Sequence, residues 1–389
     1  MRRRGRQAAR DGVKRVMVWR DFVLPGSETF IRNQMDAMTR WLPVLVGIRD
    51  VDSPIRAASD RILFDESLQG RVERKIFTTF GWSPRLARML RRDDVALIHA
   101  HFGMGAVSVA PTARRLGLPL VVTVHGNDVT RSDLRSTAAD RAGRTYARRL
   151  ARALRYATTV IAVSEFIAQQ VISGYGVPAG KVKVMRIGMP ATDAPAQAPS
   201  ESDLLFVGRL VAKKGVSDLL NAAARVGGRI DPPRVVIIGD GKLREDLEAE
   251  ARALGVDAVF LGAQSPVAVA RAMERTKIFV GPSRTAPDGD AEGFGMVFLE
   301  AAQAARPVVA YDHGGVAEAV VDGVTGILVP EGDVGRLAEA LMKLLGDAGA
   351  RHAMGEAGRR RVVDEFDIRR CTAALEDEYD RVTGGGERA

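Results

Sequence analysis

The chain is predicted to be an α/β protein built as two doubly wound parallel-sheet domains in series. Three observations predict this. Apolar runs of strand type alternate with helical stretches along the whole chain, as βα units laid into a parallel sheet do. The alternation lapses once, at 190–202, where Pro, Ala and Ser accumulate with no period. And 389 residues are long for one hydrophobic core but suit two.

Taken in order, the first series of strand-type runs falls at 15–19, 43–48, 96–99, 120–124, 159–163 and 182–185. Helical stretches at 27–39, 141–156 and 166–173 lie among them. The second series falls at 204–207, 234–238, 259–261, 278–281, 307–311 and 326–329. Helices are expected at 216–226, 242–254, 265–275, 296–305 and 334–345. The expected division is a first domain over 1–189, a linker over 190–202 and a second domain over 203–365. A C-terminal segment over 366–389 adds a helix and a Gly-rich tail, 383–389, that is expected to be disordered.

Composition narrows the class. Hydrophobic residues make up 46% of the chain, enough for a fully folded protein. The single cysteine, Cys371, excludes an internal disulfide and suits a reducing compartment. No stretch approaches eighteen consecutive apolar residues, so no spanning helix is expected. The basic start, MRRRGRQAARDGVKR, leads into VMVW, too short for a signal-peptide core. The expected location is cytoplasmic.

Charge is unevenly spread. Residues 1–190 carry 33 Lys and Arg against 16 Asp and Glu, a net of +17; the remainder nets −8. The densest cluster is RAGRTYARRLARALRY, 141–156. At about 100° per residue, Arg141, Arg144, Arg148, Arg152 and Arg155 share one face, with Tyr146, Leu150 and Leu154 opposite. Such a face suits an anionic membrane surface at the inner side of the cell membrane. A nucleic-acid partner is not expected, because no aromatic residues interleave with the charge and no recognised module is present.

Two segments carry chemistry. EGFGMVFLE, 292–300, sets Glu292 on a loop and Glu300 on the second turn of a helix opening near Met296. The backbone N–H groups of 294–297 (Phe294, Gly295, Met296, Val297) face the space between the carboxylates, and a helix N-terminus favours an anion there. Two carboxylates around a positive helix end suit a ligand that is part polyol and part phosphate. FVGRLVAKKG, 206–215, places Arg209 and Lys214 after a strand end, where open α/β sheets bind ligands. Arg offers a planar fork and Lys a point charge, both suited to phosphate oxygens. Lys213 is expected to be a solvated surface cation.

The two segments together resemble the retaining GT-B glycosyltransferases of family four. The resemblance extends to VTVHGNDVT (122–130), to 161–189, and to IGDGKLREDLE (238–248), HGGVAEAV (313–320) and GVTGILVP (323–330). It covers roughly 95–365, with a weaker match around PGSETFIRNQ (25–34). It implies two Rossmann-like domains facing across a cleft, with the C-terminal helix crossing back to the first. It also implies that Arg209 and Lys214 bind the donor diphosphate, that Glu292 contacts the transferred sugar and that Glu300 binds the ribose. His125, at a strand end, is expected to hydrogen-bond the sugar or the donor phosphate. The usual family mechanism is front-face attack, with the leaving phosphate taking the acceptor proton.

The remaining candidates are less specific. His99 and His101 form an H-x-H pair whose expected place is the acceptor side; no carboxylate or cysteine cluster accompanies it as metal ligands would require. Asp128 is a second acceptor-side candidate and also a natural turn former. Gly26 stands where a glycine would let a phosphate approach the backbone, although the double-Gly loop usual in the family is absent. Asp288-Gly-Asp290 matches a D-x-D metal pattern but lies in a Pro/Gly loop, so no metal and no cofactor beyond a nucleotide-sugar co-substrate is expected. The leading function is transfer of a hexose-type sugar, with a UDP-sugar as first donor candidate and GDP-mannose as second. The acceptor is a glycan, a lipid-linked molecule or a small molecule such as a cyclitol. A sugar-nucleotide epimerase and a basic nucleic-acid-binding protein are the alternatives.

Overall fold

The computed structural model describes residues 13–26, 28–131, 140–192 and 199–384. Ser27, residues 193–198 of the expected linker and the end of the tail lie outside the described residues. The chain divides into two compact units, Met1–Pro190 with Asp367–Ala389, and Ala191–Phe366.

The first unit holds seven parallel strands. They are β1 (Lys14–Trp19), β2 (Trp41–Gly47), β3 (Arg61–Ile62), β4 (Val95–His101), β5 (Leu120–Val124), β6 (Thr159–Ala162) and β7 (Val182–Val184), in spatial order β3-β2-β1-β4-β5-β6-β7. Helices between the strands bury Val16, Val18, Leu45, Leu97, Val121 and Ile161. The winding direction reverses between β1 and β4, the place where doubly wound sheets open a ligand crevice.

The C-terminal helix, Ile368–Val382, packs on this unit through buried acids as well as apolar side chains. Glu376 is nearly fully buried and accepts the backbone N–H groups of Thr39 (3.0 Å), Arg40 (2.7 Å) and Trp41 (2.9 Å). A carboxylate can be buried here because three backbone donors leading into β2 satisfy it. Tyr379, also buried, reaches His99 at 2.5 Å.

The second unit holds β8 (Ser202–Val207), β9 (Val235–Ile238), β10 (Ala258–Phe260), β11 (Thr276–Gly281), β12 (Val308–Asp312) and β13 (Gly326–Pro330), all parallel, in order β10-β9-β8-β11-β12-β13. Its core joins Leu204, Phe206, Ile237, Ile278, Val280 and Val309 to the apolar faces of helices Val216–Gly227 and Val334–Gly346. The winding reverses between β8 and β11. Arg209 and Lys214 leave the end of β8, and Glu292 lies on the segment after β11, so the motif residues meet at this switch point.

Candidate active site

The loop after β8 is shaped by one glycine. A short 3-10 turn, Ala212–Lys214, ends at Gly215 with φ +65°. A Cβ on Gly215 would stand 1.9 Å from the carbonyl oxygen of Pro282. Only glycine therefore lets this loop rest on the segment leaving β11. The contact aims two consecutive lysines at two different carboxylates. Lys213 Nζ stands 3.0 and 2.9 Å from the two oxygens of Asp290, and Lys214 Nζ pairs with Glu292.

Lys213 thus corrects the sequence expectation. It is buried, not solvated, and its partner is the second acid of the D-x-D pattern. Asp290 is committed to that ion pair, and Asp288 Oδ1 accepts the Asp290 N–H at 3.1 Å. Among the described residues no three His, Cys, Asp or Glu side chains converge as a metal site.

Glu292 is half-buried and held ionised. Burial would raise its pKa, but Lys214 and Lys213 outweigh burial and hold it at about 2; Ser283 Oγ adds a donor at 3.4 Å. Its backbone is fixed by the loop after β12. The Glu292 N–H donates to His313 Nε2 (3.2 Å), and the Gly315 N–H donates to the Glu292 carbonyl (2.9 Å). Because His313 Nε2 accepts, the imidazole proton sits on Nδ1, which faces Glu331 Oε2 at 2.9 Å. Gly314 is at φ +55°, and a Cβ there would lie 2.4 Å from the Glu292 carbonyl. The sequence reading quoted this His-Gly-Gly run without giving it a role. The structure makes it the clamp that orients Glu292, and only the contact reveals that.

Glu300 stands on the helix Met296–Gln303, which opens at Gly295 (φ +84°) without a side-chain cap. Phe294 is buried, whereas Gly295, Met296 and Val297 are partly exposed at the helix start. Glu300 is half-buried, and its carboxylate has no hydrogen-bond or ion-pair partner among the described residues. Burial raises its pKa. Arg209 is exposed and its guanidinium likewise has no partner among them. The site thus pairs one satisfied couple, Lys214 with Glu292, with two unspent groups.

The raised Glu300 pKa has a stability consequence. The folded protein resists ionising this carboxyl more than the unfolded chain does, so ionisation at neutral pH works against folding. Glu300→Gln is therefore expected to raise the Tm of the ligand-free protein at pH 7. The gain should shrink as pH falls toward the carboxyl range, where wild type also becomes neutral. Thermal melts at pH 7 and pH 4.5 check this.

In the first unit the structure brings His101, His125 and Asp128 together. His101 Nδ1 and His125 Nε2 share a hydrogen bond at 3.1 Å with rings stacked at 5.3 Å. Burial holds both imidazoles neutral: His125 falls to about 3 and His101 lies well below its usual range, with neighbouring His99 and Arg20 adding to the effect. His125 therefore offers a neutral hydrogen bond, not a cation. Asp128 is consumed by backbone donors, the N–H groups of Gly103 (2.9 Å), His125 (3.1 Å) and Gly126 (2.8 Å). It positions the His125 loop.

His99 departs from its expected place at the acceptor side. It is fully buried, and both ring nitrogens are taken, one by Tyr379 and one by Thr123 at 2.7 Å. Gly26 carries no positive φ, and a Cβ there would meet only Pro54 at 3.6 Å, so nothing in the protein demands glycine at that position. Two residues on, buried Glu28 takes both arms of Arg20 at 2.7 and 2.6 Å, and the guanidinium stacks on Phe102 at 4.4 Å. Sequence reasoning missed this pair, since no spacing rule links Arg20 to Glu28 across a strand end.

Two doubly wound parallel-sheet units in series match the architecture of GT-B glycosyltransferases, and the comparisons identify the family. The glycosyl transferases group 1 profile matches residues 193–361, and that of Glycosyltransferase Family 4 matches 26–191. An α-D-kanosaminyltransferase of Streptomyces kanamyceticus is 32% identical over 296 residues, covering 71% of this chain and 74% of that protein. A GDP-mannose-dependent α-(1-6)-phosphatidylinositol monomannoside mannosyltransferase of Mycobacterium tuberculosis is 28% identical over 367 residues, 89% of this chain and 90% of that protein. The crystal structure of Anabaena HepE in complex with UDP superposes with a TM-score of 0.75 at 19% identity, over 95% of this chain and all of that one. The chain belongs to the group 1 glycosyltransferases, family four, and is a glycosyltransferase enzyme.

Proposed function

We propose that the enzyme transfers a hexose-type sugar from a nucleoside diphosphate donor to an acceptor hydroxyl, with retention at the anomeric carbon. The observation that carries this reading is the switch-point constellation of the second unit. Arg209 and Lys214 follow the end of β8 and would bind the diphosphate, Glu292 is held ionised by Lys214 and Lys213, and Glu300, without a partner among the described residues, would take the ribose hydroxyls. Arg209 and Lys214 would neutralise charge developing on the leaving diphosphate, usually the largest catalytic contribution available. That charge supply makes a divalent metal unnecessary. Glu292 would orient the sugar, and the leaving phosphate would take the acceptor proton.

The donor candidates remain a UDP-sugar and GDP-mannose; the Mycobacterium tuberculosis relative's name supports the second. The same name supports a lipid-linked acceptor. Among the described residues no helix is long and apolar enough to cross a membrane. A peripheral location fits the helix Arg141–Tyr156, where Arg141, Arg144, Arg148, Arg152 and Arg155 are all exposed while Leu150, Ala153 and Leu154 are buried. Each such cation would contribute about 1 kcal/mol near an anionic surface.

A thermal-shift panel of nucleoside diphosphate sugars tests the reading. A bound donor raises Tm by mass action. The UDP or GDP series should raise it, and the Glu300→Gln variant should lose most of that rise. A flat response across every nucleotide would remove the proposal.

A further inference from the structure

We propose that the helix Leu68–Phe80 inserts its outer face into the interfacial layer of an anionic membrane. The sequence reading passed over this helix, and the sugar-transfer chemistry does not use it. Its outward face carries four exposed apolar side chains, Leu68 at 74%, Val72 at 52%, Ile76 at 50% and Phe80 at 69%, with the uncharged Gln69 and Thr79 among them. These four recur every fourth residue, and at about 100° per residue they span an arc of about 120°. The inward face is already satisfied by other residues. Gly70 and Phe77 are buried on the opposite side, and the helix is closed at both ends, by Ser67 Oγ accepting the Gly70 N–H and by Gly81 at φ +65°. The apolar stripe is therefore surplus to this unit's core. A contiguous apolar stripe on a soluble surface marks an interaction site.

The charge around the stripe selects the partner. Arg71 and Lys75 border it on one flank, both exposed; Arg71 lies within electrostatic reach of Glu66, and Lys75 has no side-chain partner among the described residues. The nearby acids are spent locally: Glu66 pairs with Arg74 at 2.7 Å, while Asp65 and Glu73 face Arg85 at 3.5 and 4.0 Å. Beyond the helix end, half-buried Trp82 lies under the Arg115 guanidinium at 4.7 Å. Exposed Arg88, Arg91 and Arg92 continue the positive surface, although Arg92 is paired with Asp93. The five-arginine helix Arg141–Tyr156 is a neighbour, since Arg149 reaches the Thr78 carbonyl at 3.5 Å. An apolar stripe bordered by cations, beside an aromatic ring, has the make-up of an interfacial helix lying in the headgroup region of an anionic bilayer. A protein partner or a second copy would need acids at the rim of the stripe to meet those cations.

This inference rests on the peripheral-membrane reading and adds insertion to electrostatic contact. Sedimentation of the full chain with phosphatidylglycerol/phosphatidylcholine vesicles, and with pure phosphatidylcholine vesicles, separates the two. Wild type should sediment with the anionic vesicles and leave them as salt rises, because the Debye length shortens to about 8 Å at physiological ionic strength. Leu68→Gln/Ile76→Gln and, separately, Phe80→Gln should keep the wild-type Tm, since all three side chains face solvent. The double variant should partition at least tenfold more weakly. Arg144→Gln/Arg148→Gln/Arg152→Gln should also weaken partition. If the stripe variants bind like wild type while the arginine variant does not, insertion is overturned and electrostatic attachment stands. If wild type sediments with neither vesicle, both fall. If wild type is a dimer in the ultracentrifuge and the stripe variants are monomers that bind vesicles like wild type, the stripe is a self-association face and the proposal is overturned.

Discussion

Glu292→Gln is expected to lower kcat by about two to three orders of magnitude while KM for the donor changes little or falls. The glutamine keeps the shape of the side chain and can still meet Ser283, but it removes the charge. Lys214 loses its ion-pair partner and is left free for the diphosphate, so ground-state binding is preserved. What is lost is a carboxylate held ionised against burial, positioned by the His313–Glu331 clamp behind its backbone. Loss of an interaction made chiefly in the transition state lowers kcat, whereas loss of one shared by both states raises KM. Glu300→Gln supplies the contrast: it removes a carboxylate without a partner among the described residues that is proposed to bind the ribose, and so should mainly raise KM. Steady-state kinetics with both variants decides this. If each changed KM alone, the role given to Glu292 would have to be withdrawn.

Lys214→Ala should have two measurable effects. The first is loss of turnover, because the leaving diphosphate loses a charge-assisted contact of about 1.5–3 kcal/mol. The second concerns acid stability. The Glu292 pKa is depressed in the folded state to about 2 from an ordinary 4.5. A depressed carboxyl pKa stabilises the fold above the unfolded value, and that contribution disappears as pH falls from about 4.5 through about 2. Without Lys214 the folded pKa rises, because the larger attraction is lost and Lys213 is the one lysine left to oppose burial. The variant should therefore have already lost stability at pH 7 and should lose less on acidification. Urea melts at pH 7 and pH 3 would show a smaller pH dependence in the variant. An equal dependence in both proteins would mean that the ion pair does not hold Glu292 ionised.

The strands were legible because each is a short apolar run bounded by polar turn residues. The run at 120–124 coincides with β5, and the helix expected at 216–226 with Val216–Gly227. The helix Phe102–Leu116 was not legible. It contains Gly103, Gly105 and Pro111, residues that local propensity assigns to turns, and packing overrides that propensity. A Cβ on Gly105 would come within 3.2 Å of Trp19, and one on Gly103 within 2.9 Å of Leu150, so both glycines serve close approach. β3 is two residues long and carries no periodic signal.

Within the site, residue types were easier to read than their pairings. Arg209 and Lys214 follow β8, Glu292 follows β11 and Glu300 stands on the next helix, but the contact seen is that of Lys214 with Glu292. Which of two adjacent lysines is buried depends on a 3-10 turn and on Gly215, geometry that no pattern of residue types encodes. The same holds for the histidines. His99 and His101 share a strand face, yet one is tied to Tyr379 and the other to His125.

The central claim is that the switch point of the second unit binds a nucleoside diphosphate through Arg209 and Lys214. Calorimetric titration of UDP and of GDP into wild type and into Arg209→Ala/Lys214→Ala tests it most directly. The account predicts that wild type binds at least one of the two nucleotides, and that the double variant binds it at least about 100-fold more weakly while keeping its fold. Wild-type affinity in the double variant would contradict it.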